Sequence, residues 1–87
     1  MNAVLSPLAK KQLKKLPKIV QFSIAKIVRD LVQDNLVSNI KHLVKYKDVY
    51  RIRIADYRMV YKKFNDRYYI ILIEHRKSVY QTLKRIW

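Results

Sequence analysis

Residues 49–73 read VYRIRIADYRMVYKKFNDRYYIILI, and this stretch decides the fold. Tyr50, Ile52 and Ile54 alternate with Arg51 and Arg53, a period of two that predicts a strand with one buried and one basic face. Ala55-Asp56 makes a tight connection to a second strand, Tyr57–Phe64. Asn65-Asp66 then supplies a two-residue hairpin turn. Tyr68–Ile73 is nearly all apolar or aromatic, as a strand covered on both sides requires, and the central strand is this one or its neighbour.

Outward from that core the period changes to helical. On the C-terminal side Ser78 opens a short last helix, with Gln81 three residues on to complete a capping box and Leu83, Ile86 and Trp87 to bury. On the N-terminal side Ser6-Pro7 is a helix start, a hydroxyl cap followed by proline at the first helical position. Leu8, Ala9, Leu13 and Leu16 recur at helical spacing, with Lys10, Lys11, Lys14 and Lys15 on the other face. Pro17 ends this helix or begins the next. From Lys18 to about Leu36 a second amphipathic stretch turns Ile19, Val20, Ile24, Ile27, Val28, Leu31 and Val32 inward. Asn2–Leu5 suits a short edge strand, and residues 37–48 read mostly as loop. The fold expected is α+β in a single domain over residues 1–87: an N-terminal helical hairpin with a basic outer surface, packed on a small, mainly antiparallel sheet, and a short C-terminal helix.

Composition narrows the chemistry. Twenty Lys and Arg against six Asp and Glu leave a net charge of +14 on 87 residues. Such a balance repels itself and fits a polyanionic partner, nucleic acid first, because each phosphate contacted releases counterions. No apolar run reaches the roughly 18–20 residues of a membrane span. Residues 1–7 lack the charged start, apolar run and cleavage site of a signal peptide, so the reading is cytoplasmic, with no membrane partner. The sequence has no cysteine, which removes disulfides, thiolate metal sites and cysteine nucleophiles. It also has no glycine, which excludes Gly-rich phosphate loops and leaves left-handed backbone positions to Asn and Asp. Asn35, Asn39, Asp56, Asn65 and Asp66 lie where such turns are expected.

Glu74 is the only glutamate and the aspartates are scattered, so paired carboxylates and a metal-dependent nuclease site are not expected. His42 and His75 lack acidic partners at metal-binding spacing. No metal or cofactor is implied. Arginines, lysines and tyrosines can still cleave RNA without metal, by promoting attack of a ribose 2′-hydroxyl on its own phosphate. Arg51 and Arg53 share a strand face; Arg58 joins them if the hairpin register allows. Guanidinium forks match phosphate oxygens, although exposed strand faces also carry arginine simply for solubility. His75 is a candidate proton carrier by residue type, and Tyr80 can stack on a base or donate a proton. Most of the seven tyrosines suit core and cross-strand packing.

The run Tyr50-Arg51-Ile52-Arg53-Ile54-Ala55-Asp56-Tyr57-Arg58-Met59-Val60-Tyr61, the apolar strand after it, and His75-Arg76-Lys77-Ser78-Val79-Tyr80 resemble the RelE branch of the RelE/ParE toxin superfamily. Leu5-Ser6-Pro7-Leu8-Ala9 with Leu13-Lys14-Lys15-Leu16-Pro17 is similar to that family's first helix. The resemblance implies a RelE-like toxin of a type II toxin–antitoxin system. Such a toxin is an endoribonuclease, an mRNA interferase that enters the ribosomal A site and cleaves the messenger, stopping translation. Its partners would be the 70S ribosome with its mRNA and rRNA, and a RelB-type antitoxin that holds it inactive; toxin–antitoxin complexes of this kind bind operator DNA. By position, Arg51 and Arg53 match the family's basic pair, Arg58 its phosphate-stabilising arginine, Arg76 a second such arginine, and Tyr80 its C-terminal tyrosine. Lys10, Lys11, Lys14, Lys15, Lys62 and Lys77 are the expected RNA-binding lysines.

Three departures stand out. The best-known pattern has lysines at the basic pair, and arginine does not give up its proton. The base then falls to His75, with Lys62 second. The spacing from Arg76 to Tyr80 is short, so Lys77 competes with Arg76 for its match. Ala55 stands where the family often has glycine. Two other readings share the charge: a ParE-like inhibitor of DNA gyrase, and a non-catalytic basic nucleic-acid-binding module. Only the nuclease needs the arginines, His75 and Tyr80 to converge.

Overall fold

The alternation in residues 49–73 is realised as strands, and a computed structural model describes all 87 residues. In chain order the elements are β1 (Asn2–Leu5), α1 (Pro7–Lys14), α2 (Lys18–Val32), β2 (Ile40–His42), β3 (Val49–Ile54), β4 (Tyr57–Lys63), β5 (Arg67–His75) and α3 (Val79–Ile86). The sheet runs β1-β5-β4-β3-β2. Every pairing is antiparallel except β1 with β5, which is parallel. The long inner strands are thus flanked by edge strands of 4 and 3 residues, short enough to offer little to an unwanted partner strand.

Period-two patterning gives the sheet two apolar faces. Ile52, Ile54, Met59, Tyr61, Tyr68, Ile70 and Ile73 pack with Ala9, Val20, Ile24 and Leu31 of the first two helices. Val49, Val60, Ile71 and Leu72 lie under Val79 and Leu83 of α3. The strand expected to be covered on both sides is β5, next to the central β4. A register shift between Val60 and Tyr61 pairs Val60 with Leu72 and Tyr61 with Ile70. The extra residue lets Ile71 and Leu72 both turn toward α3, as a β-bulge permits.

The expected N-terminal helical hairpin needs correction: the chain begins with strand β1, which joins the sheet beside β5, and the two helices follow it in sequence. They pack on strands more than on each other, α1 chiefly on β5 and α2 on β1 and β3. The Ser6 cap does form: its Oγ accepts from Ala9 N at 3.0 Å and donates to the Ile71 carbonyl at 2.6 Å. Pro17 is the N-cap residue of α2.

That second helix stops at Val32, before the Leu36 that periodicity suggests. Asp34 takes φ 61°, and the amides of Asp34 and Asn35 bond back to Leu31 and Asp30, the double-bonded stop that usually uses glycine. Ile19, expected inward, is 75% exposed, because the face that α2 turns to the sheet is carried by Val20, Ile24 and Leu31. Within the stretch read as loop, Ile40–His42 pairs with β3 as an edge strand. The capping box at Ser78 is absent; its hydroxyl donates weakly to the His75 carbonyl at 3.5 Å. Positive φ falls on Asp34, Asn39, Asp48 and Ala55, so of the five expected left-handed positions only Asn39 is one. For Ala55, with a Cβ, φ of 53° costs about 1 kcal/mol. No helix is long and apolar enough to cross a membrane.

Candidate functional site

Register settles where the arginines meet. Arg53 of β3 lies directly across from Arg58 of β4, and Arg58 directly across from Glu74 of β5. Residues so paired point to one face, with Cβ atoms about 5 Å apart. Arg51, two residues before Arg53, shares that face and pairs with Val60, whose side chain packs under α3. Arg51, Arg53 and Arg58 therefore stand on the α3 side of the sheet, at the end nearest the Ala55-Asp56 turn.

Two guanidinium groups facing each other repel, so their arrangement depends on what else they touch. Arg58 is half-buried; its Nη1 donates to the carbonyls of Ala55 at 3.1 Å and Tyr57 at 2.9 Å. These bonds fold the side chain back over its own hairpin. Arg51 Nη1 donates to the Asn39 carbonyl at 3.3 Å, and Arg53 is exposed. Each guanidinium keeps further N–H donors, so an anion between Arg53 and Arg58 would relieve the repulsion and be held by forked bonds.

Glu74 has no role in the sequence reading, and the structure gives it one. Its Oε1 accepts from Gln12 Nε2 at 2.8 Å and its Oε2 from Thr82 Oγ1 at 2.7 Å. Gln12 in turn accepts from the amide of Ile73 at 2.7 Å. One carboxylate thus ties α1, β5 and α3 together beside Arg58. The signal available in the sequence was the lone glutamate directly after the apolar run Tyr68–Ile73.

The remaining expected residues are distributed more widely. His75 follows Glu74 on the strand and so points to the opposite face, with its ring edge-on to Tyr57 at 5.8 Å. Its Nδ1 accepts from the Lys77 amide at 3.1 Å. Arg76 is exposed, its Nε 3.9 Å from Asp56 Oδ1, and its amide donates to the Asp56 carbonyl at 2.8 Å. Tyr80 is 42% exposed near the start of α3. It lines a cavity of about 300 Å³ with Lys41, Leu43, Tyr46, Leu83 and Lys84. Lys41 is the register partner of Arg51, so this cavity joins Tyr80 to the arginine face. Lys10, Lys11, Lys14, Lys15 and Lys77 are exposed, while Lys62 lies at the far end of β4. No three His, Asp or Glu side chains gather as a metal site requires.

Known structures share this arrangement of elements. A chain of the RelB–RelE antitoxin–toxin complex from Methanococcus jannaschii is 26% identical, covers 91% of this chain and 96% of its own, and superposes with a TM-score of 0.79. The isolated RelE toxin of E. coli is 22% identical over 99% of this chain and 98% of its own, with a TM-score of 0.73. A chain of the archaeal RelE–RelB complex from Pyrococcus horikoshii is 23% identical over 86% of this chain and 93% of its own, with a TM-score of 0.71. The fold is RelE-like. A family profile described as "ParE toxin of type II toxin-antitoxin system, parDE" matches residues 3–80, and the chain belongs to that family, within the RelE/ParE superfamily. A comparison with curated protein sequences gives no match.

Proposed function

We propose that this toxin is a ribosome-dependent endoribonuclease that cleaves messenger RNA in the A site and thereby stops translation in the cytoplasm. The observation that carries this reading is the cross-strand row Arg53–Arg58–Glu74 with Arg51 beside it. A phosphate seated on the arginines would have its developing charge stabilised without metal. The 2′-hydroxyl then attacks phosphorus, its proton passes to a base, the bond to the 5′-oxygen breaks, and that oxygen takes up a proton. Tyr80, joined to the face by the cavity beneath it, stacks on a base or supplies that proton. Arg76 stands at the turn as a further cation, and the α1 lysines with Lys77 hold ribosomal RNA by charge.

The strand faces bear on which residue can act as the base. Glu74 shares the arginine face; His75 does not, and Lys62 is four residues along β4 from Arg58, roughly 13 Å at strand rise. We assign the proton-accepting role to Glu74, positioned by Gln12 and Thr82.

Related chains occur in complexes with RelB antitoxins. By extension a RelB-type antitoxin holds this toxin inactive by covering its basic face, and the pair binds operator DNA. The test is to map cut sites in messenger RNA with translating ribosomes, with naked RNA alongside. Cuts in the A-site codon only when ribosomes are present are expected. Arg58→Ala should lower the cleavage rate by about 10²–10³-fold while ribosome binding weakens only mildly. Cuts in naked RNA, or none at all, would overturn the reading; in the second case a gyrase supercoiling assay examines the ParE-like alternative.

A further inference from the structure

At the opposite end of the same sheet face, beside the Asn65-Asp66 turn, cations and aromatic rings are interleaved. Lys62 Nζ lies 5.5 Å from the centroid of the Phe64 ring and 5.8 Å from that of Trp87. The Arg67 guanidinium sits 5.0 Å over Phe64. Tyr69, the register partner of Lys62, stacks on Trp87 at 6.4 Å and 28°. The group comes from three elements: the end of β4, the start of β5, and the residue that caps α3.

Its surface is open. Trp87 is 47% exposed, and the side chain of Arg67 is 46% exposed. The only acidic group in contact is Asp66, which pairs with Arg67 at 3.2 Å. An ion pair so exposed contributes little and yields readily to a better anion. Cations held over rings, with aromatic surface open to solvent, are the combination that grips single-stranded nucleic acid: bases stack on the rings while phosphates meet the cations. An acidic peptide would use the charge and leave the rings unused.

We propose that Lys62, Phe64, Arg67 and Trp87 form a second contact for single-stranded RNA, in which an unstacked base lies on the aromatic surface and its phosphates on the two cations. The spacing supports a continuous strand. From Arg58 to Lys62 along β4 is roughly 13 Å at strand rise. α3 covers Val60 between them, so a strand reaching from the arginine face to this patch would pass around that helix and span only a few nucleotides. The contact requires no chemistry, so it stands or falls separately from cleavage.

Trp87 is the sole tryptophan and reports on its own site. The experiment titrates the intact protein with a single-stranded 2′-O-methyl oligoribonucleotide, which cannot undergo 2′-attack, and follows tryptophan fluorescence. Saturable quenching is expected, weakening as salt rises. Lys62→Ala with Arg67→Ala should weaken binding about tenfold and lower the salt slope by about 0.7 for each phosphate no longer neutralised. By anisotropy of a labelled oligonucleotide, Trp87→Ala should bind about tenfold more weakly and Trp87→Phe should recover most of the affinity. Arg58→Ala, expected to slow cleavage strongly, should still show the quench. Equal quenching by polyphosphate or polyglutamate would mean that bases do not matter, and would overturn the proposal. So would a Trp87→Ala protein that binds as tightly as the parent.

Discussion

Tyr61 has the one clearly displaced ionisation in the molecule. Its phenol is pushed up to about 12 from an ordinary 10.0, first by burial and then by the neighbouring Tyr68 and Tyr50. The two rings lie at 5.6 Å and 5.5 Å from it, one edge-on and one stacked. In the unfolded chain the phenol ionises near 10, so between about pH 10 and 12 the folded state keeps a proton that the unfolded state has given up. Stability from this group is therefore intact below about pH 10 and declines as pH rises toward 12, by on the order of 2 kcal/mol. Absorbance of the folded protein in the near ultraviolet should show a tyrosinate step centred near 12 that Tyr61→Phe removes. Glu74→Gln keeps a group that can bond to Gln12 and Thr82 but cannot accept the 2′-proton. It should depress single-turnover cleavage at least as much as His75→Gln does, with Tm little changed. Full activity in the glutamine variant would return the base to His75.

Among the elements, α1 depends on one hydroxyl more than on its sequence preference. Its sole fully buried residue is Ala9, and the helix is only 8 residues long, too short to stand alone. Ser6, 6% exposed, caps the first turn and donates across to β5, so one side chain fixes both the helix start and its docking strand. Ser6→Ala should destabilise the protein by about 2 kcal/mol, a fall in Tm on the order of 10 °C measured by circular dichroism. A shift under about 2 °C would mean that packing of Leu8, Leu13 and Leu16 suffices. Helix α3 likewise departs from its sequence pattern. The expected capping box is missing, and the helix is held by Val79 and Leu83 in the core and by the Thr82–Glu74 bond.

For the molecule as a whole, +14 of net charge is opposed by very few ion pairs: Arg67 with Asp66 and, at 3.9 Å, Arg76 with Asp56. Self-repulsion is thus largely uncompensated in the free protein. Raising NaCl from about 0.02 to about 0.3 M shortens the Debye length from about 20 to about 6 Å and should raise Tm by several degrees. A Tm flat or falling with salt would show that the charges are already screened by their own spacing.

Whatever depends on neighbours a few residues apart could be read along the chain. The alternation of Tyr50, Ile52 and Ile54 with Arg51 and Arg53 makes a strand with a basic face. Ser6-Pro7 begins a helix, and the excess of Lys and Arg points to a polyanionic partner. Register, and the surface that an element turns inward, came only with the folded chain. Arg58 meets Arg53 because the hairpin turns in two residues at Ala55-Asp56; a slip of one residue would have put it on the other face. Glu74 finds Gln12 across 62 residues of chain, and β1 pairs with β5 from the other end of the molecule. Ile19 stays in solvent although its spacing suits the core, because the face of α2 that meets the sheet is chosen by the strands beneath it. Period is local and readable; pairing is fixed only when distant parts of the chain bury each other's apolar surface.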